Sequence, residues 1–223
     1  MRITLRLNVI ETNYHLGGSV LSVVSEYPYL GLTMTNTLSW QKHINNITTR
    51  ANRMLGLIRR NLRASPQKLK QQAYFTLVRP HLEYCCTVWN SHTKKLITQV
   101  ENIQRRAARF VLGNYHQRES VTAMISELEW TSLEKRRQAA SLQMMYKIHN
   151  QLIAINPNNY LTAMQPSAAR SFHPSKYQII PARVQVYQYS FFPRTVAWWN
   201  TLPDNILTSP LPEVFKGAVA SRI

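Results

Sequence analysis

Fourteen lysines and arginines fall between residues 36 and 111, against only two acids, Glu83 and Glu101. At about 100° per residue, helices through this region would carry Lys42, Arg53 and Arg60 together on one face, with Arg50 and Arg63 on its flanks. A second face would carry Lys95, Arg105, Arg106 and Arg109. Solvated helix faces ordinarily mix both signs, with Glu placed to pair with Lys or Arg one turn away. Here the face of Arg105, Arg106 and Arg109 has only Glu101 near its edge. Arginine also outnumbers lysine across the region, and the planar guanidinium suits two-pronged contact with phosphate better than it suits solubility alone. The chemistry these residues can do is electrostatic: neutralising the phosphates of RNA or of an RNA/DNA hybrid. The competing reading is a basic face that docks on another domain or on an acidic protein.

Other chemistries find less support. The chain has one aspartate, Asp204, among its ten acids, whereas two-metal phosphoryl transfer needs several clustered carboxylates. There is no GxSxG elbow for a nucleophilic triad and no glycine-rich loop to cradle a nucleotide phosphate. Cys85 and Cys86 are adjacent, so two thiolates cannot converge on one ion, and His81 four residues away reads as a half-buried helix residue beside two core cysteines. Neither a catalytic residue, a metal site nor a cofactor is expected. The run YQYSFFPRTVAWWN at 187–200 could stack on bases as single-strand binders do, but aromatic pairs at this spacing read more readily as core.

The elements that must position the basic residues follow from periodicity. In 223 residues, 27 Lys and Arg face 10 Asp and Glu, a net charge of +17, while 44% hydrophobic content is enough for a real core. Adjacent cysteines give no disulfide framework, and no apolar run approaches a membrane span; an intracellular protein with no membrane partner is expected. Residues 1–36 read as β-rich: Ile3, Leu5, Leu7 and Val9 alternate with polar residues, Gly17–Gly18 marks a hairpin turn, and Tyr29–Met34 is a further strand-prone run. Residues 37–152 take the helical period. Trp40, Ile44, Ile47, Ala51, Met54 and Ile58 form one stripe after a Ser39 N-cap. Ser65–Pro66 opens a second helix with Leu69, Ala73 and Leu77 on its core face, ending at or restarting from Pro80. A helix over 94–111 stops at Gly113, Ser120 caps a short one through Leu128, and Thr131 with Glu134 has capping-box spacing for the last, to about Leu152. Residues 153–223 hold eight of the eleven prolines and many aromatics, which predicts an irregular subdomain with short helices near 193–200 and 212–220. The fold class expected is mainly α: a small N-terminal sheet, a central bundle of about five helices, and a proline- and aromatic-rich C-terminal part.

These segments resemble, in order, the C-terminal part of the reverse transcriptases of jockey-like non-LTR retrotransposons. The resemblance runs through YLGLTMTNTLSWQKHI at 29–44, RRNL at 59–62, AYFTLVRPHLEYCCTVW at 73–89 and ENIQRRAARFVLGNY at 101–115. It continues through SVTAMISELEW at 120–130, LEKRRQAASLQMMYKIHN at 133–150 and YQYSFFPRTVAWWNTLP at 187–203. It implies that Tyr29, Leu30 and Gly31 belong to the end of a palm, that the bundle is a thumb gripping template and nascent duplex, and that residues 153–223 are a C-terminal extension. It also implies that the missing palm and fingers of a parent polymerase are a partner, and that Met1 falls inside a domain. The family's Phe/Tyr-x-Asp-Asp motif lies upstream of YLG, and no residue here matches it. The expectation is therefore a non-catalytic fragment of an RNA-directed DNA polymerase that holds nucleic acid.

Overall fold

A computed structural model of the chain describes residues 1–3, 12–116, 118–165 and 173–223. The alternating stretch through Leu5, Leu7 and Val9 lies outside the described residues. Two separate antiparallel hairpins open the described fold. Strands β1 (His15–Leu16) and β2 (Ser19–Val20) turn at Gly17–Gly18, and β3 (Glu26–Tyr29) and β4 (Leu32–Thr35) turn at Leu30–Gly31. Both central residues of each turn have positive φ, which is the geometry of two-residue hairpin loops and the reason for glycine there. YLGLTM is thus not one strand but two, split by its own glycine. Gly31 has a second constraint, since a Cβ there would meet the Tyr84 ring at 3.1 Å. Tyr84 lies over this turn and donates its hydroxyl to the Leu30 carbonyl at 3.2 Å.

Helix α1 (Gln41–Asn61) buries Ile44, Ile47, Ala51, Leu55 and Ile58, with Met54 and Trp40 packed at the edge. Trp40, not Ser39, occupies the cap position; Ser39 Oγ still accepts the Gln41 N–H at 3.4 Å. Strand β4 docks on α1 through buried Leu32, while Asn46 donates to Thr33 Oγ1 at 3.1 Å. The second helix runs as α2 (Gln67–Ala73), a π-helical stretch (Tyr74–Val78) and α3 (Arg79–Glu83). Pro80 has no N–H and its ring crowds the carbonyl four residues back, and the wider π turn just before it takes up that mismatch. The core face is not the one that α-helical spacing predicts. Tyr74, Val78 and Leu82 are fully buried, whereas Leu69 and Leu77, expected in the core by α-helical spacing, are nearly half exposed.

A left-handed Cys85 leads into the short α4 (Cys86–Trp89), followed by α5 (Lys94–Leu112), which stops at Gly113 in the left-handed conformation. Cys85 is exposed and only Cys86 is buried, contrary to a pair of core cysteines. Ser120 caps α6 (Val121–Glu127), accepting the Ala123 N–H. Helix α7 (Leu133–His149) is capped by Ser132 instead of Thr131, since the Glu134 N–H that a Thr131 cap would accept is donated to Glu101 Oε1 at 2.7 Å, while the Thr131 carbonyl accepts from the buried Gln104 side chain. Gln104 also accepts from Tyr74 Oη at 3.1 Å, and Tyr74 stacks on Trp130 at 4.7 Å. These contacts join α2, α5 and α7 in one core.

A second core begins halfway along α7. Its Leu142, Met145, Tyr146 and Ile148 pack against α8 (Gln185–Gln188), α9 (Phe191–Asn200), α10 (Asp204–Leu207) and α11 (Pro212–Arg222), chiefly through Val196, Trp199 and Phe215. Prolines are accommodated at helix starts and in extended connections, where no N–H is required. The molecule is mainly α with a small two-hairpin β portion. Among the described residues no helix is long and apolar enough to cross a membrane.

One buried group gives the junction between β4 and α1 a pH dependence. His43 is 1% exposed; its Nδ1 accepts the Thr33 N–H at 3.2 Å, so the neutral ring carries its proton on Nε2. Burial, and secondarily the Arg50 charge, hold its pKa down to about 4. The unfolded chain takes up this proton near pH 6.5, so the stability contribution is complete above that pH and is lost as pH falls towards 4. Urea unfolding should show a loss of about 2 kcal/mol from this residue between pH 7 and pH 5, and His43→Gln should reduce the pH dependence by that amount. An equal dependence in both proteins would contradict this assignment.

Candidate nucleic-acid interface

Helices α1 and α5 lie side by side and run parallel, in a register fixed by side-chain hydrogen bonds. Gln99 donates to Asn45 Oδ1 at 2.9 Å and Arg106 donates to Asn52 Oδ1 at 2.8 Å, with the same sequence offset of 54 in both pairs. Gln99 also reaches Thr48 Oγ1 at 3.0 Å. Asn45, Asn52 and Arg59 recur two turns apart on α1, as do Gln99, Arg106 and Gly113 on α5, which is the repeat at which two nearly parallel helices stay in contact. Their apolar sides face the core. Their polar sides leave an open groove of about 480 Å³ between the helices, lined by Asn45, Asn52, Gln99, Asn102 and Arg106.

One turn further along α1 is a second cleft of about 760 Å³. Arg59, Arg60 and Arg63 enter it from the end of α1, Lys70 from α2, and Phe110, Gly113 and Tyr115 from the end of α5. Gly56 supplies the room, because a side chain there would project towards the Arg60 guanidinium. Four cations meet here with no acid in the lining. Two of them rest on aromatic faces instead: Arg59 is 5.5 Å from the Tyr115 ring centre and Lys70 is 5.6 Å from that of Phe110. Such contacts orient a cation without neutralising it. The ion pairs among the described residues lie elsewhere: Lys42–Glu26, Arg79 and Arg136 with Glu83, Lys176–Asp204 and Lys216–Glu213. With no acid in its lining and none of its four cations in an ion pair among the described residues, the cleft keeps its charge for an external anion.

The sequence-predicted cations are distributed around this feature. Arg60 lines the basic cleft, and Arg106 lines the polar groove but is tied to Asn52. Arg53, Lys95 and Arg105 are exposed, without a hydrogen bond or ion pair among the described residues. Arg109 is half-buried and reaches the His116 carbonyl at 3.5 Å. Lys42 sits 3.7 Å from Glu26 on the β3–β4 hairpin, so its charge is partly met.

Arg59, Lys70 and Tyr115 escaped the sequence reading, and Arg63 had been placed only on a flank. The matching spacing of Asn45, Asn52 and Arg59 with Gln99, Arg106 and Gly113 was the readable signal for Arg59. Lys70 had none, since its place depends on how α2 crosses the α1–α5 pair.

The remaining candidates separate clearly. Within the aromatic run, Trp199 is fully buried while Tyr187 and Tyr189 are exposed, so the run is partly core and partly surface. Burial pushes the Cys86 thiol up to about 11, which makes it a poor thiolate. Among the described residues, no three His, Cys, Asp or Glu side chains gather as a metal set would. Comparison of the chain with protein-family models, with curated proteins and with solved structures finds no match.

Proposed function

We propose that the chain grips RNA or an RNA/DNA hybrid through its phosphates, as a thumb-like, non-catalytic part of a retrotransposon reverse transcriptase would. The observation that carries this reading is the convergence of Arg59, Arg60, Arg63 and Lys70 on one cleft without an acid. The groove beside it adds amides and a threonine, groups able to hydrogen-bond sugar hydroxyls and base edges, and Tyr115 adds an exposed ring at the cleft wall. In this reading the catalytic aspartates belong to another part of the polymerase, and these residues hold the duplex without reacting with it. The two hairpins support a protein partner of their own. Leu16, Tyr27, Tyr29 and Leu30 are all more than half exposed, an apolar surface suited to docking on the remaining polymerase domains.

Binding of a labelled RNA/DNA hybrid, measured by anisotropy across a salt series, tests the phosphate mechanism. If the four cleft cations each neutralise one phosphate, log affinity should fall with log salt at a slope of about −3.6. Absence of binding at low salt, or a slope near zero, would remove the mechanism. It would leave the alternative in which the basic face docks on another domain or an acidic protein.

A further inference from the structure

We infer that a second cleft, between α7, α9 and the connection from α4 to α5, binds a small amphiphilic oxyanion: a carboxylate or phosphate head on an aliphatic body. This site is remote in kind from the basic cleft. It is a cavity of about 780 Å³ whose wall includes Arg194 and Lys135 together with Ile179, Ile180, Pro193 and Ala197.

The inference starts from two buried arginines that no carboxylate contacts; Glu101, Glu134 and Glu83 act on Arg137 only from a longer distance. Arg137 is 1% exposed and Arg194 8% exposed, and neither takes part in an ion pair among the described residues. Both lean on one neutral residue. Arg137 Nε donates to Asn90 Oδ1 at 3.2 Å, and Arg194 Nη1 donates to the Asn90 carbonyl. Arg137 Nη1 and Arg194 Nε have no partner at all among the described residues. Burial, and then the nearby Arg137 charge, pull Arg194 down to about 10. Buried charges in folded proteins are normally paired, because removing an ion from water is costly unless an opposite charge compensates it. Here two like charges share a site, and the cavity that could admit their counter-ion adjoins Arg194.

The lining selects the rest of the ligand. Trp198 and Tyr189 are the rings that could stack a nucleobase, but Arg194 lies over Trp198 at 5.3 Å and His92 stacks on Tyr189 at 3.7 Å. Beside the polar Ser91, Gln138 and Gln188, the rest of the wall is isoleucine, proline and alanine, which fits an aliphatic chain better than a base. Lys135 stands in the wall as a second cation. Glu134, the one acid of the lining, is exposed at the start of α7 and would turn an anionic head towards Arg194.

The test uses the purified full chain and calorimetric titration with decanoate, decyl phosphate, decanol and adenosine monophosphate, each below its aggregation concentration. Decanoate or decyl phosphate should bind at least tenfold more tightly than decanol, and the tighter of the two identifies the head group as carboxylate or phosphate. Arg194→Gln should erase that preference while leaving decanol unchanged. Because loss of a buried arginine can disturb folding, Ala197→Phe provides the second arm: it fills the cavity from an exposed helix position and should abolish binding with an unchanged circular dichroism spectrum. Equal binding of decanol and decanoate, tighter binding of adenosine monophosphate, or full binding by folded Ala197→Phe would overturn the inference. Because the basic cleft could also take an oxyanion, each titration is run in the Arg59→Ala, Arg63→Ala, Lys70→Ala background, so that only this second cleft is read.

Discussion

Replacing Arg59, Arg63 and Lys70 together with alanine should lower affinity for an RNA/DNA hybrid about 500-fold at 0.1 M salt and flatten the salt slope by about 2.7. Each lost phosphate contact returns about 0.9 of a counterion to the backbone, which at this salt is worth about 1.2 kcal/mol. Three such contacts give the stated change if they act independently. The loss should be the same for different sequences, since phosphate contacts set position and carry no sequence information. Folding should be little affected. Arg59 and Arg63 are exposed, and the aromatic contacts of Arg59 and Lys70 are worth about 0.5 to 1 kcal/mol each at such sites. Arg136→Ala is the informative control, because that guanidinium is held by Glu83 and lines neither the basic cleft nor the polar groove beside it. Near-normal affinity in the triple variant, or a loss in Arg136→Ala equal to a third of the triple variant's on a logarithmic scale, would show that the cleft is not the site.

The second large effect concerns the aromatic run. Trp199→Ala should destabilise the protein by about 3 to 5 kcal/mol, the usual cost of emptying the space of a buried tryptophan. Trp199 is fully buried, packs 5.3 Å from His149 and 5.7 Å from Phe215, and donates Nε1–H to the Ser175 carbonyl at 2.8 Å. That carbonyl would lose its partner as well. Truncation after residue 182 goes further, removing α8 to α11 and stripping the cover from Leu142, Met145, Tyr146 and Ile148 on α7. The truncated chain should bind a hydrophobic dye and be cleaved faster by protease within α7. Protection of α7 equal to that of the full chain would mean that the aromatic residues contribute little to the core.

These two effects rest on parts of the chain that differ in how readily the sequence discloses them. The stripe on α1, the α5 stop at Gly113 and the Ser120 cap are local: each follows from neighbours within one or two turns, and each is where the spacing put it. The face of α2 is not. Of its α-helically spaced residues only Ala73 is buried; Leu69, ahead of the π turn, and Leu77, within it, are not, and Tyr74, Val78 and Leu82 supply the core instead. The cap of α7 moves by one residue because the Glu134 N–H is taken by Glu101, a partner distant in sequence.

The same division holds for the candidate sites. Sequence by itself determined that the chain is mainly α and that its cations crowd onto helices without matching acids. Those are properties of composition and of short-range period. Only the tertiary structure decided which cations share a cleft, since Arg59, Arg63 and Lys70 meet through the parallel packing of α1 on α5 and the crossing of α2. It also decided that Arg137 and Arg194 lie together in the interior with no acid in contact among the described residues. Charge along a helix is written in the sequence, but the distance between charges on different helices is set by which apolar faces pack.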